Sequence, residues 1–199
     1  MREIFRHLHE NNVSPKQILE CMSEIKFSPG MIDLLTNLDK TKTEVIIISD
    51  SNSIFIDHIL DVNGMKDHVS KVFTNPAQFN DLGRLELEMY HFQESCSLST
   101  VNLCKGHILE SFIEERANQN LQFSHIVYVG DGHNDFCPSL RLSEKDFVFP
   151  RKGFSLMKYI EKMEAEKGFK IKANIHAWDS GHDIMKVLSS NIPLLSAEN

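Results

Sequence analysis

The chain has 199 residues, 41% of them hydrophobic and 25% charged, with a formal charge of −7. That is ordinary for one soluble globular domain, with or without a small appendage, and it is long enough to bury a sizeable core. The acidic balance and the lack of any Lys/Arg-rich run argue against nucleic acid or an anionic membrane as the principal partner, so an anionic substrate would need local positive charge.

The four cysteines, Cys21, Cys96, Cys104 and Cys137, show no Cys-x-x-Cys spacing. They fit free thiols in a reducing compartment better than a disulfide framework or a zinc site, and a cytoplasmic location is the expectation. The N-terminus is charged and amphipathic rather than a signal peptide, and no apolar run reaches the length of a membrane span.

Met1 to about Asn12 reads as the tail of a helix without a capping residue before its first apolar positions. Ser14-Pro15-Lys16-Gln17 is a capping-box pattern with Pro at the first helical position, opening a helix through Ile18, Leu19 and Met22. Ser28-Pro29 reads as a second cap, opening a helix through Met31, Leu34 and Leu35 to about Asn37. Residues 1–40 are therefore an all-helical lead-in, the expected remnant of a helical cap, ahead of an α/β core at 41–199.

Glu44 to Asp50 is a β-branched apolar run expected to form a strand buried on both faces, followed by a helix through Ile54, Ile56, Ile59 and Leu60 that stops at Asn63-Gly64. Val69 to Thr74 is the next strand, and Gly83 separates Phe79 from Leu85-Glu86-Leu87 in an expected hairpin. Asn102 to Gly106 opens a helix through Ile108, Leu109, Phe112 and Ile113, which leads to a second doubly buried strand at His125 to Val129. A helix near Pro138 to Leu142, a strand Phe147 to Phe149, the basic turn Pro150-Arg151-Lys152-Gly153 and a helix around Leu156 to Lys167 follow. A strand at Ala173 to Ala177 and a last helix from about Ser180 complete the order. Strands alternating with helices predict an α/β fold with a mainly parallel sheet.

The turn after the strand at His125 carries Gly130-Asp131-Gly132-His133-Asn134-Asp135. Acids delivered at the C-terminal edge of a buried strand lie where open α/β sheets bind ligands. Two carboxylates there suit a hard cation such as Mg²⁺, since no Cys or His accompanies them at zinc-like spacing. Ser49-Asp50 ends the earlier strand and Lys105 starts a helix. A hydroxyl with backbone N–H groups, one lysine and a Mg²⁺-type carboxylate pair add up to a phosphoryl site, whose charge needs cations and donors on several sides.

Six motifs in order, Ser28-Pro29-Gly30-Met31, Ile46 to Asn52, Val72-Phe73-Thr74-Asn75-Pro76, Asn102-Leu103-Cys104-Lys105, Tyr128 to Pro138 and Pro150 to Gly153, carry a resemblance to haloacid-dehalogenase-type phosphatases. The subgroup is that of phosphoethanolamine/phosphocholine phosphatase and pyridoxal-phosphate phosphatase. The resemblance implies a three-layer Rossmann-like core and a Mg²⁺-dependent phosphomonoesterase acting on a small phosphorylated metabolite through an aspartyl-phosphate. It implies Lys105 and Ser49 in catalysis, Ser49, Asp50, Ser51 and Lys105 on the substrate, Asp131 on Mg²⁺, and Asp135 supporting it. Ser53 to Asp57 and Trp178-Asp179-Ser180-Gly181 look more similar to the pyridoxal-phosphate member.

The family's nucleophile motif, Asp-x-Asp on a first strand, has no counterpart in these 199 residues. The expectation is an N-terminally shortened chain without its central strand, inactive alone. In the competing reading the chain is a non-catalytic phosphate-binding or interaction protein. Nucleotide binding finds no Gly-x-Gly-x-x-Gly or Gly-x-x-x-x-Gly-Lys loop to support it.

Overall fold

Apolar strands and amphipathic helices segregate along the chain into two units, Met1–Phe27 with Lys40–Phe92 and Ser28–Asp39 with Gln93–Asn199, in a computed structural model whose described residues are 2–192.

In the first unit, α1 (Arg2–Glu10) and α2 (Pro15–Ser23) precede β1 (Ile46–Asn52), α4 (Ser53–Val62), β2 (Lys71–Asn75), β3 (Ala77–Phe79) and β4 (Leu85–Leu87). The capping box forms as its sequence requires: Ser14 Oγ accepts from the Gln17 N–H at 3.3 Å, and Gln17 Oε1 accepts from the Ser14 N–H at 2.9 Å. Nine residues are too few for α1 to be helical alone. Tertiary packing supplies what it lacks: Phe5 is buried with Leu85 and Leu87, and its ring meets Phe55 edge-on at 5.5 Å. Burying such a ring contributes about 2–3 kcal/mol. β1 and β2 pair in parallel across α4, and β3 and β4 form the expected antiparallel hairpin.

The second unit holds α3 (Met31–Asn37), α5 (Lys105–Asn118), β5 (Val127–Gly130), α6 (Phe136–Ser139), β6 (Phe147–Pro150), α7 (Ser155–Lys167), β7 (Asn174–Ile175) and α8 (Gly181–Asn191). Its sheet runs β5-β6-β7, all parallel. Every residue of β6 is buried, the burial an uninterrupted apolar run needs at the centre of a parallel sheet. Leu34 of α3, Phe147, Phe149, Trp178 and Ile184, Leu188 and Ile192 form the core on one face. The α/β class with mainly parallel strands therefore holds.

Four local readings change. Ser28-Pro29 is not a helix cap: the Met31 N–H bonds to the Ser28 carbonyl at 3.0 Å, and Gly30 at φ 69°, ψ 1° completes a turn with the geometry of type II. Pro before a left-handed Gly favours that turn over a side-chain cap. The helix after the acidic turn is α6, starting at Phe136 and preceded by a 3₁₀ turn at His133–Asp135, because Asp135 folds back on the turn. The tail strand contracts to Asn174–Ile175, where the ladder to β6 lies. β1 and β5 are half-buried rather than doubly buried, with Val129 37% exposed. Among the described residues β1 has a ladder only to β2, and β5 only to β6, so each has one edge without a strand to cover its side chains.

Candidate functional site

The Asp135 carboxylate organises the acidic turn. Its Oδ1 accepts from Lys105 Nζ and from the Tyr128 hydroxyl, both at 2.7 Å. Its Oδ2 accepts from the Asp131 and Gly132 backbone N–H groups, both at 2.9 Å. A carboxylate offers about four acceptor sites, and here four donors use them. Burial alone would raise the Asp135 pKa; the Lys105 charge and its hydrogen bond, with the Gly132 N–H and Tyr128 hydroxyl, outweigh it and hold the carboxyl below the ordinary range. The ion pair is well enclosed, its side chains 11% and 4% exposed.

Local sequence makes this fold-back possible. A Cβ on Gly130 would lie 2.6 Å from Asp135 Cγ, so any side chain there would displace the carboxylate. The Gly130 carbonyl accepts from the Arg151 N–H and the Asp131 carbonyl from the Leu156 N–H, both at 2.9 Å. The basic turn and the first turn of α7 thus pin the acidic turn from outside. The Asp131 side chain is left exposed to solvent.

In the first unit, the β1–β2 register jumps from Ser49↔Thr74 to Asn52↔Asn75, pushing Asp50 and Ser51 out of the ladder in a bulge. Such bulges re-aim side chains and backbone at sheet ends. Asn75 Nδ2 donates to the Asp50 and Ser51 carbonyls, each at 2.9 Å, and Ser49 Oγ accepts from the Ser51 N–H at 3.2 Å. Asn52, wholly buried, caps α4 by accepting from the Phe55 N–H at 3.0 Å. The segment is held rigidly at the start of a helix, whose first N–H groups and positive dipole end favour an anion.

The structure therefore brings Lys105, Asp135 and the Asp131 backbone together in one unit, and places Ser49, Asp50 and Ser51 together in the other. Two residues central to these arrangements received no role from sequence. Tyr128 reads as an ordinary strand residue; its alternation relative to Gly130 is the signal that it points to the turn. Asn75 reads as a strand end; a buried Asn beside a Pro is the signal that its side chain holds backbone.

For Mg²⁺, Asp131 fits as one ligand: the ion keeps several waters and commonly takes one or two carboxylates plus substrate phosphate oxygens. Asp135 fits as its support, since direct ligation would cost it hydrogen bonds it already makes. Among the described residues, the acidic, His and Cys side chains converge in a group of three or more only at Cys96, Cys104 and Cys137, away from hard-cation chemistry. No described helix is long and apolar enough to cross a membrane.

Comparison with known proteins gives the same direction. The profile of the Putative Phosphatase family matches residues 1–192. Pyridoxal phosphate phosphatase PHOSPHO2 of Homo sapiens is 38% identical over 190 residues, which cover 94% of this chain and 78% of the relative. Phosphoethanolamine/phosphocholine phosphatase of Homo sapiens is 32% identical over 186 residues, covering 92% and 69%. A crystal structure of cytosolic 5'-nucleotidase IIIB bound to cytidine aligns with a TM-score of 0.55 at 17% identity, over 89% of this chain and 56% of that one, a likeness of fold.

Proposed function

The chain belongs to the Putative Phosphatase family, among the haloacid-dehalogenase-type phosphatases, and from that premise we propose that it recognises a small phosphorylated metabolite with the help of Mg²⁺. The observation that carries this reading is the Lys105–Asp135 pair gripping the Asp131-Gly132 backbone at the C-terminal edge of a parallel strand. Fixed donors and a cation placed before the ligand arrives need no reorganisation to meet phosphoryl charge.

In this reading residues 1–40 belong to a helical cap with its return helix, and 41–199 form the core. Ser49 and the bulged Asp50-Ser51 segment contact the phosphoryl group, and Lys105 neutralises one of its oxygens. Asp131 ligates Mg²⁺, whose contribution when bound is further charge neutralisation, and Asp135 fixes Asp131 and Lys105 in place. Turnover through an aspartyl-phosphate needs an acid that attacks phosphorus. The sequence has no Asp-x-Asp, so the 199-residue chain binds the phosphomonoester without hydrolysing it. That absence also favours the second reading, a phosphate-binding protein that is not a catalyst. The higher identity to the pyridoxal phosphate relative, 38% against 32%, makes pyridoxal phosphate the first ligand to test. The location proposed is the cytoplasm.

The test is equilibrium dialysis of pyridoxal phosphate, phosphocholine and phosphoethanolamine with and without Mg²⁺, beside phosphate-release assays on each. Binding that Mg²⁺ strengthens and Lys105→Met or Asp131→Asn weakens, with no release of phosphate, supports the proposal. Turnover that survives Asp131→Asn, or binding indifferent to both substitutions, overturns it.

A further inference from the structure

Three of the four cysteines, separated in sequence, converge in the second unit. Cys96 Sγ lies 3.4 Å from Cys137 Sγ, Cys104 Sγ lies 3.8 Å from it, and all three sulfurs fall within 4.8 Å of one another. None is in a disulfide. Cys104 and Cys137 are wholly buried, whereas Cys96 is partly exposed and provides the way in.

We propose that Cys96, Cys104 and Cys137 form a three-thiolate site for a thiophilic d¹⁰ ion of the Zn²⁺ class, with the fourth position open to water or an external ligand. Thiolates bound to Zn²⁺ at about 2.3 Å in tetrahedral directions lie about 3.8 Å apart. Two of the separations, 3.4 and 3.8 Å, lie close to that value and the third is no more than 4.8 Å, so the ion can enter with side-chain adjustments of about an ångström or less. A disulfide would use two of these sulfurs and would not require the third.

Charge agrees with geometry. Three thiolates around a divalent ion leave one net negative charge, and the Arg141 guanidinium, held by Glu110 at 3.0 Å, lies close enough to the Cys137 side chain to interact with it electrostatically. Outer partners of this kind orient the ligand and balance the site. The site stands independently of the phosphoryl-binding reading. Its position still matters: Cys104 precedes Lys105, and Cys137 is the second residue after Asp135. An ion here would fasten the loop carrying Cys96 to both backbones from which that ion pair projects.

The test uses the whole chain, reduced and freed of metal, titrated with Co²⁺ and then Zn²⁺. The expected result is one equivalent of Co²⁺ with a near-ultraviolet thiolate charge-transfer band and visible bands of tetrahedral strength, both erased by Zn²⁺. Cys96→Ser, Cys104→Ser and Cys137→Ser should each weaken binding on the order of 100-fold, and Cys21→Ser should leave it unchanged. Because Cys104→Ser and Cys137→Ser, at buried positions, could unfold the chain, Cys96→Ser carries the decision. Its metal-free melting temperature should match the parent, and it should lose the rise that Zn²⁺ gives the parent. Absence of the charge-transfer band at stoichiometric Co²⁺, or a band unaffected by Cys96→Ser, shows that the three thiols only pack together and overturns the proposal.

Discussion

Removing the charge of Asp135 while keeping its shape isolates what the hub contributes. In Asp135→Asn the amide oxygen can still face the Asp131 and Gly132 N–H groups, but its NH₂ then faces Lys105 Nζ and the Tyr128 hydroxyl, which the native Oδ1 accepts from at 2.7 Å each. Two charge-assisted hydrogen bonds are lost, each contributing at least about 1.5 kcal/mol. The buried ammonium of Lys105, its side chain 11% exposed, is left without its counter-charge. The expected loss is about 3–4 kcal/mol, near the range for breaking a buried pair from one side. At about 2–4 °C per kcal/mol for a chain of this size, the melting temperature should fall by about 6–16 °C. Lys105→Met leaves Asp135 three donors and should cost less, about 2 kcal/mol. The double variant removes both charges and should be more stable than the sum of the single losses implies, by about 1–3 kcal/mol. Urea unfolding of the four proteins, followed by fluorescence and circular dichroism, measures this coupling. Additive losses, or an Asp135→Asn chain as stable as the parent, would refute the hub.

Acid should dismantle the same hub: the folded pKa of Asp135 is lowered, so its contribution is present above the unfolded value of about 3.9 and disappears as pH falls through the folded one. Stability of the parent should therefore drop more steeply than that of Asp135→Asn in urea titrations below about pH 4, and equal slopes would count against the assignment. Asn52→Ala removes a wholly buried cap of α4 and should cost about 1–2 kcal/mol in the same assay, whereas Asn52→Asp, which keeps the acceptor, should recover part of it. Gly181→Ala would place a Cβ 2.1 Å from the Gly30 carbonyl oxygen and should destabilise by about 3 kcal/mol or more, and a neutral effect would mean the two segments lie farther apart than described.

Features decided by a few adjacent residues were legible in the sequence. The Ser14/Gln17 capping box, the Asn63-Gly64 stop and the hairpin around Gly83 depend on local chemistry and appear where the pattern puts them. Ser28-Pro29 misleads because the same two residues serve a helix cap or a turn, and Gly30 at positive φ selects the turn. Burial of β1 and β5 depends on neighbours across the sheet, which an apolar run does not specify. Asp131 and Asp135 are both visible as acids after a strand. Their unequal roles come from Tyr128 and Lys105, whose aim at Asp135 is a property of the folded chain. The cysteines illustrate the same limit: their spacing carries no motif, and the convergence exists only after α5 and α6 are packed.

The segment from Ser28 to Asp39 belongs with residues synthesised much later. Leu34 packs with Ile184 and Leu188, and Asp33 bonds to His182 at 2.8 Å across 149 residues of sequence. At about 5–20 residues per second, α3 leaves the ribosome some ~7–30 s before α8 exists to receive it. Through that interval α3, seven residues long, is too short to persist as a helix alone. A helix made early thus completes its packing only when α8, made much later, supplies Ile184 and Leu188.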